Sequence, residues 1–132
     1  MNTNVKIFIG VILLLVLGTI ISVVSGVGKD SSSNIPGKYD EFAICLKDKG
    51  AVFYGAFWCP HCQTQKKMFG KSAKFLPYVE CSTPDGNGQT QICIDKNIEG
   101  YPTWEFADGS RLNGEVSLAT LAEKTSCIIP EE

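Results

Sequence analysis

Eight residues, Ala51-Val52-Phe53-Tyr54-Gly55-Ala56-Phe57-Trp58, run without a charge straight into Cys59-Pro60-His61-Cys62. A continuous apolar run with no polar alternation suits a strand covered on both faces. Pro60 then suits the first position of a helix, where its missing N–H removes no bond. Cys62, Gln65/Lys66, Phe69, Ala73 and Leu76 recur at helical spacing behind it. Any fold of this chain must therefore cover that strand above and below and hold a CxxC at the junction between strand and helix.

The flanking segments supply the cover. Tyr39, Phe42, Ala43 and Leu46 fall on one helical face, with Asp40 and Glu41 at the N-terminal end, Lys47 and Lys49 at the other and Gly50 as a stop. Downstream, Pro77–Cys81 reads as a short strand, Ser82–Gln89 as a loop and Thr90–Ile98 as a short helix. Thr103–Ala107 and Ser110–Asn113 flank Asp108-Gly109, which predicts a two-residue hairpin. Ser117 can cap a last helix that turns Leu118, Leu121 and Ala122 inward. The order joins a βαβ unit to a ββα unit, an α/β fold whose central mixed sheet is flanked by helices.

Ile7 to Gly28 is a second constraint: 22 residues without a charge. As a helix they would reach about 33 Å, against a hydrocarbon core of about 30 Å. The apolar part of a cleaved signal peptide is about 7–15 residues, and Val23-Val24-Ser25-Gly26 is a weak cleavage site, so a retained transmembrane helix is expected. Gly18, Ser22 and Gly26 recur every four positions, a spacing that serves helix packing or is incidental. Lys6 precedes the span, whereas Lys29 and Asp30 cancel after it, which favours a cytoplasmic N-terminus. The expected organisation is a cytoplasmic tip and single-pass anchor over 1–28, a flexible linker over 29–37 and a folded domain over 38–132. That domain would lie outside the cytoplasm, where disulfides persist.

Charge and histidine content exclude several functions. Of 12 Lys/Arg and 14 Asp/Glu, only Lys6, Lys29 and Asp30 precede residue 38, so the domain is net acidic and no nucleic-acid partner is expected. One histidine excludes multi-histidine metal centres and any triad whose base lies elsewhere. Neither a metal nor a cofactor is expected. Lys66, Lys67, Lys71 and Lys74 read as a solvated helix face.

The CxxC carries the chemistry. Cys59 at a helix N-terminus gains from the dipole and from unpaired N–H groups, which favour its thiolate. Cys62 can reach back within one turn to expel a mixed disulfide. His61 is a nearby donor that, when cationic, stabilises the reduced form and makes the disulfide a better oxidant. Three alternatives stand beside this reading. One is a four-thiolate zinc site with Cys81 and Cys93, which are not the close pair such sites use. The others are a structural Cys59–Cys62 disulfide and a disulfide-stapled binding module without turnover.

Phe57-Trp58-Cys59-Pro60-His61-Cys62 after an apolar strand, with Gly100-Tyr101-Pro102-Thr103 further on, resembles the thioredoxin superfamily over residues 38–127. The Pro-His dipeptide is that of periplasmic DsbA-type dithiol oxidases. Tyr54–Cys59, Tyr78-Val79-Glu80-Cys81, Pro84-Asp85-Gly86 and Gly100–Trp104 resemble more closely the thioredoxin-like domain fused to bacterial and plant vitamin K epoxide reductase homologues.

The resemblance implies an exposed nucleophile at Cys59 and a buried resolving thiol at Cys62. It also implies a cis-proline at Pro102 that turns the Tyr101 backbone toward substrate, beside Pro60 and Trp58, the latter bordering the groove or simply packing there. Where the superfamily usually buries an aspartate, six positions before the first cysteine, this chain has Phe53, which fits an oxidant better than a reductase. Cys81 and Cys93 fall where the fused domains carry a second pair; closing that loop would contribute about 3 kcal/mol, and a redox relay is the alternative role. Cys45 and Cys127 are one further candidate pair, free thiols or a link between chains being the alternatives.

The function implied is a membrane-anchored, extracytoplasmic thiol:disulfide oxidoreductase of bacterial source. It would oxidise protein thiols and be reoxidised by a separate, quinone-linked membrane oxidase of the vitamin K epoxide reductase type. A reductase or isomerase in the same compartment is the second reading.

Overall fold

The computed structural model describes residues 2–24 and 36–131. The end of the expected anchor and most of the expected linker lie outside the described residues. The chain divides into two units, Met1–Asn34 and Ile35–Glu132. In the first, helix α1 covers Thr3–Val24, so it begins four residues before the uncharged run and takes in Lys6. Its described side chains reach only to Leu14; among the described residues, no helix is long and apolar enough to cross a membrane.

The second unit runs α2 (Asp40–Asp48), β1 (Val52–Gly55), α3 (Pro60–Phe69), a 3-10 turn (Gly70–Phe75), β2 (Tyr78–Glu80), α4 (Gln91–Asp95), β3 (Thr103–Glu105), β4 (Arg111–Asn113) and α5 (Leu118–Thr125). The sheet order is β2-β1-β3-β4. β1 pairs parallel with β2 and antiparallel with β3, and β3 pairs antiparallel with β4. This is the mixed sheet of a thioredoxin-like fold.

Alternation along β1 explains its apolar run. Phe53 lies opposite Tyr78 on β2 and Trp104 on β3, and its ring stacks on Trp104 at 4.9 Å and meets Tyr78 edge-on at 5.1 Å. Phe42, Leu46, Phe69 and Leu121 from the helices complete that cluster, with Phe42 stacked on Phe69 at 5.8 Å. Tyr54, the next residue, belongs instead to a smaller cluster with Cys81, Cys93 and Ile98. Successive side chains thus enter separate apolar clusters, so neither position of the pleat tolerates a polar residue.

Three boundaries differ from expectation. β1 stops at Gly55, and Ala56 to Cys59 form a turn before α3. The helical spacing from Cys62 to Leu76 is not one helix: Gly70 adopts φ +54°, a conformation glycine reaches without steric cost, and the chain tightens into the 3-10 turn. The hairpin loop has three residues rather than two. Phe106 N–H donates to Ser110 O at 2.9 Å and Gly109 N–H to Phe106 O at 2.8 Å, with Gly109 at φ +79° as the third loop residue. Ser117 caps α5, its hydroxyl accepting from Thr120 N–H at 3.1 Å.

Candidate active site

Cys59 is the N-cap of α3 in extended conformation, with Pro60 as the first helical residue. Its Sγ faces the carbonyl oxygen of Tyr101 at 3.6 Å, and the Tyr101–Pro102 bond is cis. The expected exposed thiol is in fact buried, with 5% of its surface accessible, because the N-cap geometry turns Sγ inward onto the Tyr101 backbone. Pro102 is fully buried and Pro60 exposed. What the Tyr101–Pro102 segment offers a ligand is therefore the Tyr101 backbone.

Cys62, one turn into α3, is 1% accessible. Burial pushes its thiol up to about 12, with the neighbouring Cys59 adding to the rise. Neither sulfur is in a disulfide bond. Space for Cys62 Sγ comes from Gly55, where a Cβ would lie 2.9 Å from that sulfur and 2.9 Å from Tyr78 Cε2. The pair is chemically asymmetric: one thiol at a helix N-terminus, the other sealed beneath it.

His61 is largely exposed, and its Nδ1 lies 2.7 Å from Glu115 Oε1. Glu115 is held there from below. Fully buried Gln65 accepts from Val116 N–H at 2.7 Å and donates to Val116 O at 2.9 Å, clamping the segment between β4 and α5 against α3. Trp58 both packs and stays open: its indole N–H donates to Ser82 Oγ at 2.8 Å and its ring meets Tyr101 edge-on, yet half of it is accessible, as is half of Phe57. Tyr101 is held in turn by Gln89, whose side-chain amide donates to its hydroxyl at 2.8 Å.

Cys81 is bonded to Cys93, and Cys45 to Cys127, with Cα separations of 5.5 and 6.0 Å. The first bond removes the thiolates that the zinc alternative requires. It also ties the end of β2 to α4, with Ser82, the partner of Trp58, next to the bridge. Lys66 departs from the solvated-face reading, since its ammonium lies over the Tyr78 ring, 3.3 Å from the centroid. Reading the sequence does not single out Tyr78, Glu80, Gln65, Ser82 or Glu115 for the site. Their roles come from contacts across 12 to 54 positions of chain, which local pattern does not carry.

Several known proteins resemble the chain. It is 54% identical over 85 residues to a protein named thiol-disulfide oxidoreductase LTO1 from Arabidopsis thaliana, a match covering 61% of this chain and 22% of that protein. It is 31% identical over 86 residues to a thioredoxin domain-containing protein 5 homolog from Drosophila melanogaster, covering 56% of this chain and 20% of that protein. The chain thus spans about a fifth of the length of these curated relatives. No protein-family model matches it.

Proposed function

We infer that this chain, thioredoxin-like in fold and in its relatives, is a thiol:disulfide oxidoreductase that exchanges disulfides with protein thiols through Cys59 and Cys62. The observation that carries the reading is the division of labour between the two sulfurs. Cys59 caps the N-terminus of α3 against the Tyr101 carbonyl beside the cis-proline, while Cys62 is sealed one turn further on and burial pushes its thiol up to about 12. In exchange, a substrate thiolate attacks Cys59 Sγ of the disulfide form and the electron pair of the broken S–S bond goes to Cys62 Sγ. The second substrate thiolate then displaces Cys59, leaving an oxidised substrate and the reduced dithiol.

The chain further acts as an oxidant, anchored to a membrane with its catalytic domain outside the cytoplasm and reoxidised by a quinone-linked membrane oxidase of the vitamin K epoxide reductase type. Support for the anchor is in the sequence, the 22 residues without a charge from Ile7 to Gly28. Two disulfides suit an oxidising compartment. His61 in the CxxC and apolar Phe53 beneath it favour the oxidant direction. A reductase or isomerase is the second reading, and Glu115 favours it, since its carboxylate engages His61 Nδ1 at 2.7 Å in place of the Cys59 sulfur.

Equilibration with glutathione buffers separates the two. The oxidant reading expects a potential nearer the roughly −120 mV of a strong oxidant, and a value near the roughly −270 mV of thioredoxin overturns it. Partner identity is tested in cells with Cys62→Ala, which leaves mixed disulfides on Cys59. Secreted proteins and a membrane oxidase are expected in the trap, and cytosolic partners would overturn the topology.

A further inference from the structure

Every turnover that forms the Cys59–Cys62 bond requires Cys62 to lose a proton, and this thiol is buried, with burial pushing it up to about 12. Phe53, at the position where the superfamily usually buries an acid, is apolar and wedged between Trp104 and Tyr78, so no proton leaves that way. A different route opens through Gly55. The missing side chain there leaves Cys62 Sγ and the edge of the Tyr78 ring facing one another across the space a Cβ would fill, 2.9 Å from each. Tyr78 donates its hydroxyl proton to Glu80 Oε2 at 2.7 Å. Glu80 Oε1 is fixed by Phe57 N–H at 3.2 Å and Ser82 N–H at 2.8 Å, which tie the carboxylate to the turn that precedes Cys59. Above the Tyr78 ring, at 3.3 Å from its centroid, lies the Lys66 ammonium.

We propose that Tyr78 and Glu80 are the proton outlet of Cys62: a proton leaving Cys62 Sγ passes the edge of the Tyr78 ring and reaches its hydroxyl through one intervening water, as the phenol hands its own proton to the Glu80 carboxylate. The proposal rests on the reading of Cys59 and Cys62 as an exchanging dithiol. When a mixed disulfide stands on Cys59, the electron pair left on Cys62 Sγ forms the new bond to Cys59 Sγ, and the departing thiolate carries away the pair of the bond that breaks. The released proton ends on Glu80 and passes from there to solvent. Lys66 stabilises the negative charge that passes through the phenol oxygen. The charged and titratable groups around Cys62 are therefore Cys59 and Lys66 from α3 and Tyr78 from β2, with Glu80 reached through Tyr78 and His61 engaged by Glu115. Burial, followed by the Glu80 contact, raises the phenol itself, which keeps it protonated and ready to relay at neutral pH. Tyr78 is the relay group, and Glu80 acts through it as a positioning residue and final acceptor.

Reaction of the reduced full chain with dithiobis-nitrobenzoate resolves the two sulfurs in time. Attack by Cys59 releases a first thionitrobenzoate, and attack by Cys62 on the resulting mixed disulfide releases the second. Tyr78→Phe keeps the ring against Phe53, and Glu80→Gln keeps an acceptor for the two backbone N–H groups, so both chains should unfold at the wild-type midpoint. At pH 7 each variant is expected to slow the second release about 10²-fold, the size of a general-base contribution, and the double variant no further. The first release is unchanged, and the gap narrows as the pH rises toward the ionisation of Cys62 near 12. A second release within about twofold of wild type in the Tyr78→Phe chain overturns the relay, as does slowing of both releases together, which would mark a structural role. A wild-type chain releasing no thionitrobenzoate would refute the exchange reading itself and the relay with it.

Discussion

Replacing Gln65 by leucine tests how the candidate site is held together. The side chain is fully buried and bonds both backbone groups of Val116, accepting from its N–H at 2.7 Å and donating to its carbonyl at 2.9 Å, with Met68 Sδ a weaker acceptor at 3.5 Å. Leucine fills a similar volume but leaves that N–H and that carbonyl buried without partners. Each orphaned group costs about 1–3 kcal/mol. Burying an apolar side chain in place of an amide offsets roughly 2 kcal/mol, so a net loss of about 2 kcal/mol, the middle of a range of about 0–4, is expected. In a domain of this size that lowers the thermal midpoint by about 10 °C. Gln65→Glu should fall further, because it sets a carboxylate oxygen against the Val116 carbonyl and buries a charge. Urea unfolding of the full chain, followed by tryptophan fluorescence and circular dichroism, reads the change as a shift in midpoint at constant slope. A leucine variant within about 0.5 kcal/mol of wild type, or a glutamate variant more stable than it, would refute the reasoning that this clamp stabilises the fold.

Gly55→Ala places a methyl 2.9 Å from both Cys62 Sγ and Tyr78 Cε2; a loss of about 1–3 kcal/mol in urea and slower closure of the Cys59–Cys62 bond are expected, and unchanged values of both would contradict the packing. The disulfides should rank by loop length: Cys45–Cys127, separated by 82 residues, contributes about 4.5 kcal/mol, and Cys81–Cys93, separated by 12, about 3 kcal/mol. Paired Cys→Ser variants measure this, and the reverse order would show that the unfolded chain does not set the effect. Glu105 is partly buried, which opposes its ionisation, but bonds from Arg111 and Lys96 prevail and hold its carboxyl below the ordinary range. Its contribution is thus present above the unfolded value of about 4.3 and lost as the pH falls through the lower folded one. Glu105→Gln should flatten that part of the acid limb of stability against pH, and an unaltered limb would show that these pairs contribute nothing measurable.

Local physics made much of this molecule legible. The apolar run of β1, the proline after Cys59 and the serine before α5 each act on neighbours a few positions away, so pattern is enough to place a thiol pair at a strand-to-helix junction. Boundaries were less legible where one glycine decides: Gly70 ends α3 and Gly109 adds a residue to the hairpin loop, and in each case the composition also permits the regular alternative. The surroundings of Cys62 could not be read at all. Glu80 looks like an ordinary polar residue in a short strand until the sheet sets Tyr78 beside Phe53 and the turn at Phe57 folds over it. Glu115 carries no local signal either; it reaches His61 because Gln65, 51 residues from Val116, fixes the next peptide.

A protein that trades disulfides runs the risk of trading its own. Attack requires a sulfur that a thiolate can approach in line with the S–S bond, and Cys81 and Cys93 have no accessible surface, whereas Cys45 of the other bridge is only partly buried. Exchange at the Cys81–Cys93 bridge would need the domain to open first, so its rate is tied to unfolding rather than to the redox state of its surroundings. That bridge is therefore more than reinforcement. Kept out of reach of incoming thiolates, it holds Ser82 and the wall beside Trp58 in place while the neighbouring dithiol cycles through its partners.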